Sequence, residues 1–235
     1  EVEYVRDRMF KTFAEAFRQR GFDLIVWADI GFGELFSKVP IKTLKDLRER
    51  KVWAWPGEKL FPALARFLGL EAIPVPLAQV TDALRDGRLD TVYANALGSV
   101  VLGWYREVGY VMKWDLIYGP AVLAVGLPQW STVPPGIRKI VLEEIEATLP
   151  KLFDMMRRDE ETALKGINKR GVQIVQLEPE VEEEFRTISL EFEKKLVEGK
   201  PELRKILDEI HRHVNEFRSS HARLEDPLDS RARVR

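Results

Sequence analysis

The sequence contains no cysteine. That absence excludes disulfide staples, zinc–thiolate sites, iron–sulfur clusters and cysteine nucleophiles together. It leaves the compartment open, because exported proteins also do without cysteine. Histidine is scarce: His211, His213 and His221 all lie near the C-terminal end. His211 and His213 are two positions apart, so on a helix they point about 200° away from each other, a poor arrangement for a shared metal. Neither sign of charge is in excess, with 37 basic and 38 acidic side chains and a formal net charge of -1. Nothing therefore recommends nucleic acid or an anionic membrane surface as a partner. No apolar run approaches the roughly 18 residues of a membrane-spanning helix. Nucleophile elbow, phosphate loop and dinucleotide fingerprint are all missing, so the sequence offers no catalytic residues, cofactor or metal site. The lone Gly-x-Gly in Asp29-Ile-Gly31-Phe-Gly33 lacks the third glycine or lysine that a phosphate site needs. It reads as a loop where a strand leaves one lobe.

What is present is a folded, unevenly charged chain. Hydrophobic residues make up 45% of the 235, enough for a sizeable core. Residues 1–130 carry 33 of the 75 charged side chains and all six tryptophans. The first part therefore reads as sheet and helix with aromatic walls, and the rest as long amphipathic helices.

Phe10, Phe13 and Phe17 recur at helical spacing, and Gly21 ends that helix before a strand at Phe22–Trp27. Thr43-Leu-Lys-Asp46 fits a capping box that opens a short helix. Strands at Val52–Trp55, Ala72–Pro76 and Leu89–Tyr93 alternate with helices near 58–68 and 78–85, the pattern of a parallel α/β sheet. A helix near Ala96–Tyr105 follows, then extended runs at Tyr110–Tyr118 and Ala121–Gly126. From Pro134 to about Lys165 a periodic stretch predicts a helix roughly 45–50 Å long, too long for one small lobe. A strand at Val172–Leu177 and helices at 180–197 and 201–217 complete the pattern. The acidic run Glu180–Glu184 reads as a solvated first turn. The polar stretch 219–235 reads as a disordered tail.

Aromatic side chains give the one local hint of binding. Trp53 and Trp55 are two apart on a predicted strand and project to the same side. Tyr93 ends another strand just before Asn95. Ligands of open parallel sheets sit at the carboxyl ends of strands. Two indoles and a phenol there form either ordinary sheet-to-helix packing or a wall for an apolar or planar ligand, with Asn95 as a polar anchor.

The order of motifs resembles the substrate-binding proteins of TRAP (tripartite ATP-independent periplasmic) transporters. The resemblance rests on Phe36-Ser-Lys-Val-Pro-Ile-Lys-Thr-Leu-Lys-Asp-Leu47, Lys51-Val-Trp-Ala-Trp-Pro56, Leu68-Gly-Leu-Glu-Ala-Ile-Pro-Val-Pro76, Val80 through Tyr93, and Lys169-Arg-Gly-Val-Gln-Ile-Val175, and covers about residues 1–200. It implies a two-lobed α/β fold, periplasmic-binding-protein-like of the class II type, with a long lobe-spanning helix and an incomplete N-terminal lobe. On that template residues 1–33 are the remainder of lobe I and a hinge strand, and 34–119 are the α/β part of lobe II. Residues 120–170 are a returning strand and the spanning helix, and 171–218 a lobe II strand and the C-terminal helices.

The resemblance further implies a periplasmic or extracytoplasmic receptor, not an enzyme. Its lobes would close on a small organic ligand and hand it to a TRAP-type membrane permease. The ligand-binding residues would be Trp53, Trp55, Tyr93 and Asn95, with Trp27 and Phe32 near the hinge and Tyr118 on a later strand. Two departures stand out. Trp53 occupies the position where most members carry a carboxylate-clamping arginine, and a second common arginine is replaced near Gly33. A carboxylate buried with no cation costs several kcal/mol, so this chain resembles an aromatic-rich branch taking apolar or bulkier acids. Some of that branch resemble receptors that work with a helical-repeat partner protein. The other departure is that members usually carry a long stretch before the segment equivalent to Glu1, forming the first lobe's sheet and one side of the cleft, whereas this chain starts at Glu1 with no leader pattern, as a processed form or fragment does. The alternative reading is a repurposed receptor fold that acts as a protein-interaction subunit, or that pairs with a chain supplying the missing lobe.

Overall fold

The computed structural model describes residues 1–225. They form nine helices and six strands: α1 (Val2–Arg18), β1 (Phe22–Ser37), α2 (Leu44–Arg48), β2 (Lys51–Ala54), α3 (Leu60–Leu68), β3 (Glu71–Pro74), α4 (Val80–Arg85), β4 (Thr91–Ala94), α5 (Ala96–Val101), β5 (Tyr110–Gly126), α6 (Leu127–Thr132), α7 (Pro135–Lys169), β6 (Gln173–Gln176), α8 (Pro179–Leu196) and α9 (Pro201–Glu225), with short 3-10 turns at Leu77–Gln79 and Trp104–Arg106. The strands make one sheet in the order β3-β2-β4-β1-β5-β6. Contacts divide the chain into two units. The first holds residues 1–28, 121–144 and 194–235, and the second holds 29–120 and 145–193.

In the second unit, β2 runs parallel to β3 and β4, and β5 runs parallel to β6. β2, β3 and β4 are the strands whose alternation with helices reads as parallel in sequence. β1 is the exception: it pairs antiparallel with β4, Leu35 opposite Tyr93 and Phe36 opposite Val92. Strand–helix alternation fixes direction only for strands joined by a crossover, and no crossover joins β1 to β4.

Both faces of this sheet are covered, so neighbouring residues on one strand feed different cores. Phe36, Trp53, Val92 and Val111 pack with Trp104 and with Ile167 of α7. Leu35, Val52 and Met112 pack on the other side with Leu44 and Leu47 of α2 and Phe185 of α8. The capping box that opens α2 is formed as the sequence predicts, with the Asp46 amide donating to Thr43 Oγ1 at 3.1 Å.

Three expectations change. Asp29–Gly33 is not a loop, because β1 continues through it to Ser37. Gly31 absorbs the distortion with a φ of 82°, which only glycine adopts without strain. The two runs expected at 110–118 and 121–126 are one strand, β5. Lastly, α9 continues to Glu225 through positions read as disordered tail. Its last turns carry no helix breaker before Pro227, and local composition alone does not stop a helix already propagating. The remaining tail, 226–235, lies outside the described residues.

In the first unit α1 lies along α9. Tyr4 meets Phe217 edge to face at 5.2 Å, and Thr12 donates to Glu209 at 3.0 Å. Few side chains here are fully buried: among the described residues, Met9, Leu24, Val197 and His213. Phe22, Val122, Leu123, Ile137 and Ile140 are exposed apolar groups in the same unit.

Candidate functional site

The structure gathers Trp53, Trp55 and Tyr93 into one aromatic cluster in the second unit. β2 carries Trp53 and Trp55 follows directly after it, their rings 5.4 Å apart, and adjacent β4 sets the Tyr93 ring 5.0 Å from Trp53. Phe61, in the first turn of α3, closes on Tyr93 at 5.0 Å. Trp53 and Trp55 nonetheless differ in environment. Trp53 is 2% exposed, its indole N–H donates to the Val75 carbonyl at 2.8 Å, and Trp104 meets its ring edge to face at 5.2 Å. Trp55 is 47% exposed. The two-residue spacing thus puts one indole behind the wall and the other on its surface.

The turn after β2 shapes the edge of that wall. Pro56 and Gly57 occupy the two central positions, Gly57 with a φ of 84°, and the Glu58 amide donates to the Trp55 carbonyl at 3.2 Å. This is the residue pattern of a type II turn. The Glu58 carboxylate then accepts the amides of Leu60 and Phe61, the latter at 2.7 Å, and so caps α3. Glu58 is therefore anchored to the backbone of Phe61, the residue whose ring touches Tyr93. Burial raises the Tyr93 pKa first and the nearby Glu58 charge raises it further, against a backbone hydrogen bond at Trp55. The phenol stays neutral, and the wall has a negative neighbour.

Asn95 is held in place by structural bonds. Its Oδ1 accepts the Gly98 amide at 2.8 Å, capping α5, and its Nδ2 donates to the Ile30 carbonyl at 3.0 Å. The other amides at the start of α5 are taken as well: Glu160 of α7 accepts Ala96 N–H at 2.6 Å and Leu97 N–H at 2.9 Å. Phe32 and Tyr118 make a separate edge-to-face pair at 5.4 Å, on β1 and β5 of the same unit. Trp27 belongs to the first unit, where it packs edge to face on Phe13 at 5.3 Å and its buried indole N–H has no hydrogen-bond partner among the described residues.

The sequence reading missed Phe61, Glu58 and Glu160. An acidic residue at the very start of a predicted helix is a legible cap signal. Glu160 carries no such mark, since the helix start it serves lies more than sixty positions earlier.

Elsewhere, a shallow groove runs along one face of α9, lined by Asp208, His211, Arg212, Asn215, Glu216 and Ser219. Its charges are largely matched within the helix, Arg212 with Glu209 at 3.4 Å and with Glu216 at 3.6 Å. Among the described residues no group of three histidine or carboxylate side chains is placed to hold a metal. No helix among them is long and apolar enough to cross a membrane.

Comparison with known proteins completes the picture. Residues 3–200 match the model of the bacterial extracellular solute-binding proteins, family 7. The protein YiiZ of Salmonella typhimurium is 26% identical over 164 residues, which are 68% of this chain and 49% of that protein. The chain thus spans about half the length of that curated relative. A TRAP periplasmic solute-binding protein of Roseobacter denitrificans, solved with bound β-D-glucuronate, shares the fold with a TM-score of 0.82 at 20% identity, covering 89% of this chain and 69% of its own. Another from Desulfovibrio salexigens, solved with orotic acid, gives 0.80 at 20% identity, covering 90% and 70%.

Proposed function

The chain belongs to family 7 of the bacterial extracellular solute-binding proteins, and from that membership we propose that it is the receptor component of a TRAP-type transport system. It works outside the cytoplasm, captures a small organic solute and delivers it to a membrane permease. The family is one of binding receptors, not of enzymes. The observation that carries the reading is the family match over residues 3–200.

The binding wall we assign is formed by Trp55 and Tyr93, with Trp53 packed behind them as support and Asn95 fixing the loop at the start of α5. Phe32 and Tyr118 form a second aromatic surface in the same unit. Support comes from the exposure of Trp55 and from the position of the cluster at the carboxyl ends of β2 and β4, where open sheets bind ligands. The sparse burial in the first unit supports a further role for additional polypeptide there. A segment supplying more of that lobe, on this chain or a separate one, would cover Phe22, Val122, Leu123, Ile137 and Ile140. A helical-repeat partner is the other candidate for that surface.

Tryptophan fluorescence and calorimetric titration of the protein against a panel of sugar acids, planar acids, amino acids and organic amines test the reading. Saturable binding of one class, weakened by Trp55→Ala, is the expected result. No binding anywhere in the panel overturns it.

A further inference from the structure

We propose that the part of the solute laid on the Trp55–Tyr93 wall is a cationic, alkyl-substituted nitrogen, as in a quaternary ammonium compound or its zwitterions, and not a carboxylate. The inference rests on the receptor reading above and names the ligand chemistry of the same site.

Three independent features argue against an anion at this wall. Residue 53 is an indole, buried and with its N–H already bonded to Val75, so it offers no charge and no free donor. The amides at the start of α5, the other anion-binding feature at this sheet edge, are filled by the protein's own Glu160 carboxylate. Then there is Glu58, fixed by the amides of Leu60 and of Phe61, the residue whose ring touches Tyr93. Its charge already disfavours the tyrosinate form of Tyr93, and it acts in the same sense on any carboxylate placed there.

The same features favour a cation. The Trp55 ring is 47% exposed, and an indole face attracts a poorly hydrated organic cation through its quadrupole. Methyl groups on the nitrogen bury apolar surface against the rings, while the Glu58 carboxylate supplies long-range attraction without giving up its capping bonds. A zwitterion keeps its own carboxylate for donors away from this wall, which is compatible with a family whose solved members include acid-binding proteins.

The test is calorimetric titration of the protein with choline and glycine betaine, with the uncharged isostere of choline in which a tert-butyl group replaces trimethylammonium, and with glucuronate. Choline or betaine should bind, and choline at least about tenfold more tightly than its isostere. Trp55→Ala should remove most of that margin and Trp55→Phe should keep part of it. Glu58→Gln should weaken choline several-fold while leaving the isostere unchanged. Equal affinity for choline and its isostere overturns the proposal, because apolar burial would then account for everything. Binding of glucuronate without either ammonium compound overturns it too, but leaves the receptor reading standing. Silence from every compound here and in the wider panel overturns both.

Discussion

Glu160 and Ala96 lie 64 positions apart, yet the Glu160 Oε1 accepts the Ala96 amide at 2.6 Å while Oε2 takes the Leu97 amide at 2.9 Å. A carboxylate from the C-terminal third of α7 thereby completes the start of α5, beside the Asn95 cap on Gly98. Charged hydrogen bonds to helix-start amides are among the stronger ones, and α5 is too short to persist without them. Glu160→Ala should therefore destabilise the protein by about 1–2 kcal/mol, and Glu160→Gln by less because one acceptor remains. Urea denaturation curves check it. Equal stability of all three proteins would mean that water replaces the carboxylate without loss.

Trp53 and Trp55 should separate folding from binding. Trp53 is enclosed by Tyr93, Trp104 and Trp55 with its N–H satisfied. Trp53→Ala should cost about 3–5 kcal/mol in stability. Trp53→Phe should cost less, losing one buried hydrogen bond and some volume. Trp55→Ala should shift the thermal midpoint little, since the ring is half in water, and should act on ligand affinity. Thermal unfolding beside ligand titration distinguishes the two, and the assignment fails if the roles come out reversed.

How far residues alone reveal such a site depends on the range of the interaction. The Trp53–Trp55 pairing follows from strand periodicity, and the α2 capping box from four consecutive residues, so both are legible locally. That Trp53 is sealed and Trp55 open is not, because Trp104 and Val75, which do the sealing, reach Trp53 only through tertiary packing. The fate of Asn95 is similar. As a polar residue at a strand end it reads as an anchor, but its amide is bonded to Ile30 on a strand that the sequence reads as ending at Trp27. The glycines at 31 and 33 mark a break in sequence, whereas β1 runs on through them as one strand beside β5.

The turn between β2 and α3 depends on Gly57. Its φ of 84° strains any residue with a Cβ, although nothing lies within 4 Å of the place such an atom would occupy. Gly57→Ala should therefore cost about 1 kcal/mol through backbone conformation alone. Because the same turn joins Trp55 to Glu58, the substitution should also weaken ligand binding. A variant as stable as the parent would show that the turn relaxes to another type.

Asp46 makes stability depend on acid in a definite sense. Its carboxylate accepts the Lys42 and Thr43 amides, each at 3.0 Å. Its pKa is held below the ordinary 3.8, chiefly by the Lys42 amide, with Thr43 and the Arg50 charge assisting against partial desolvation. The unfolded chain therefore takes up this proton at a higher pH than the folded one. The stabilisation is fully present well above pH 3.8 and is lost as the pH falls through the lowered folded value. Asp46→Asn should be less stable than the parent by about 0.5–1 kcal/mol near neutrality, the usual worth of such a cap. The gap should begin to close as the pH drops past about 4 and go on closing below it. Paired urea titrations across that range read this directly. A gap that stayed constant into strong acid would show that the carboxylate's charge contributes nothing and that Asp46 acts through shape alone.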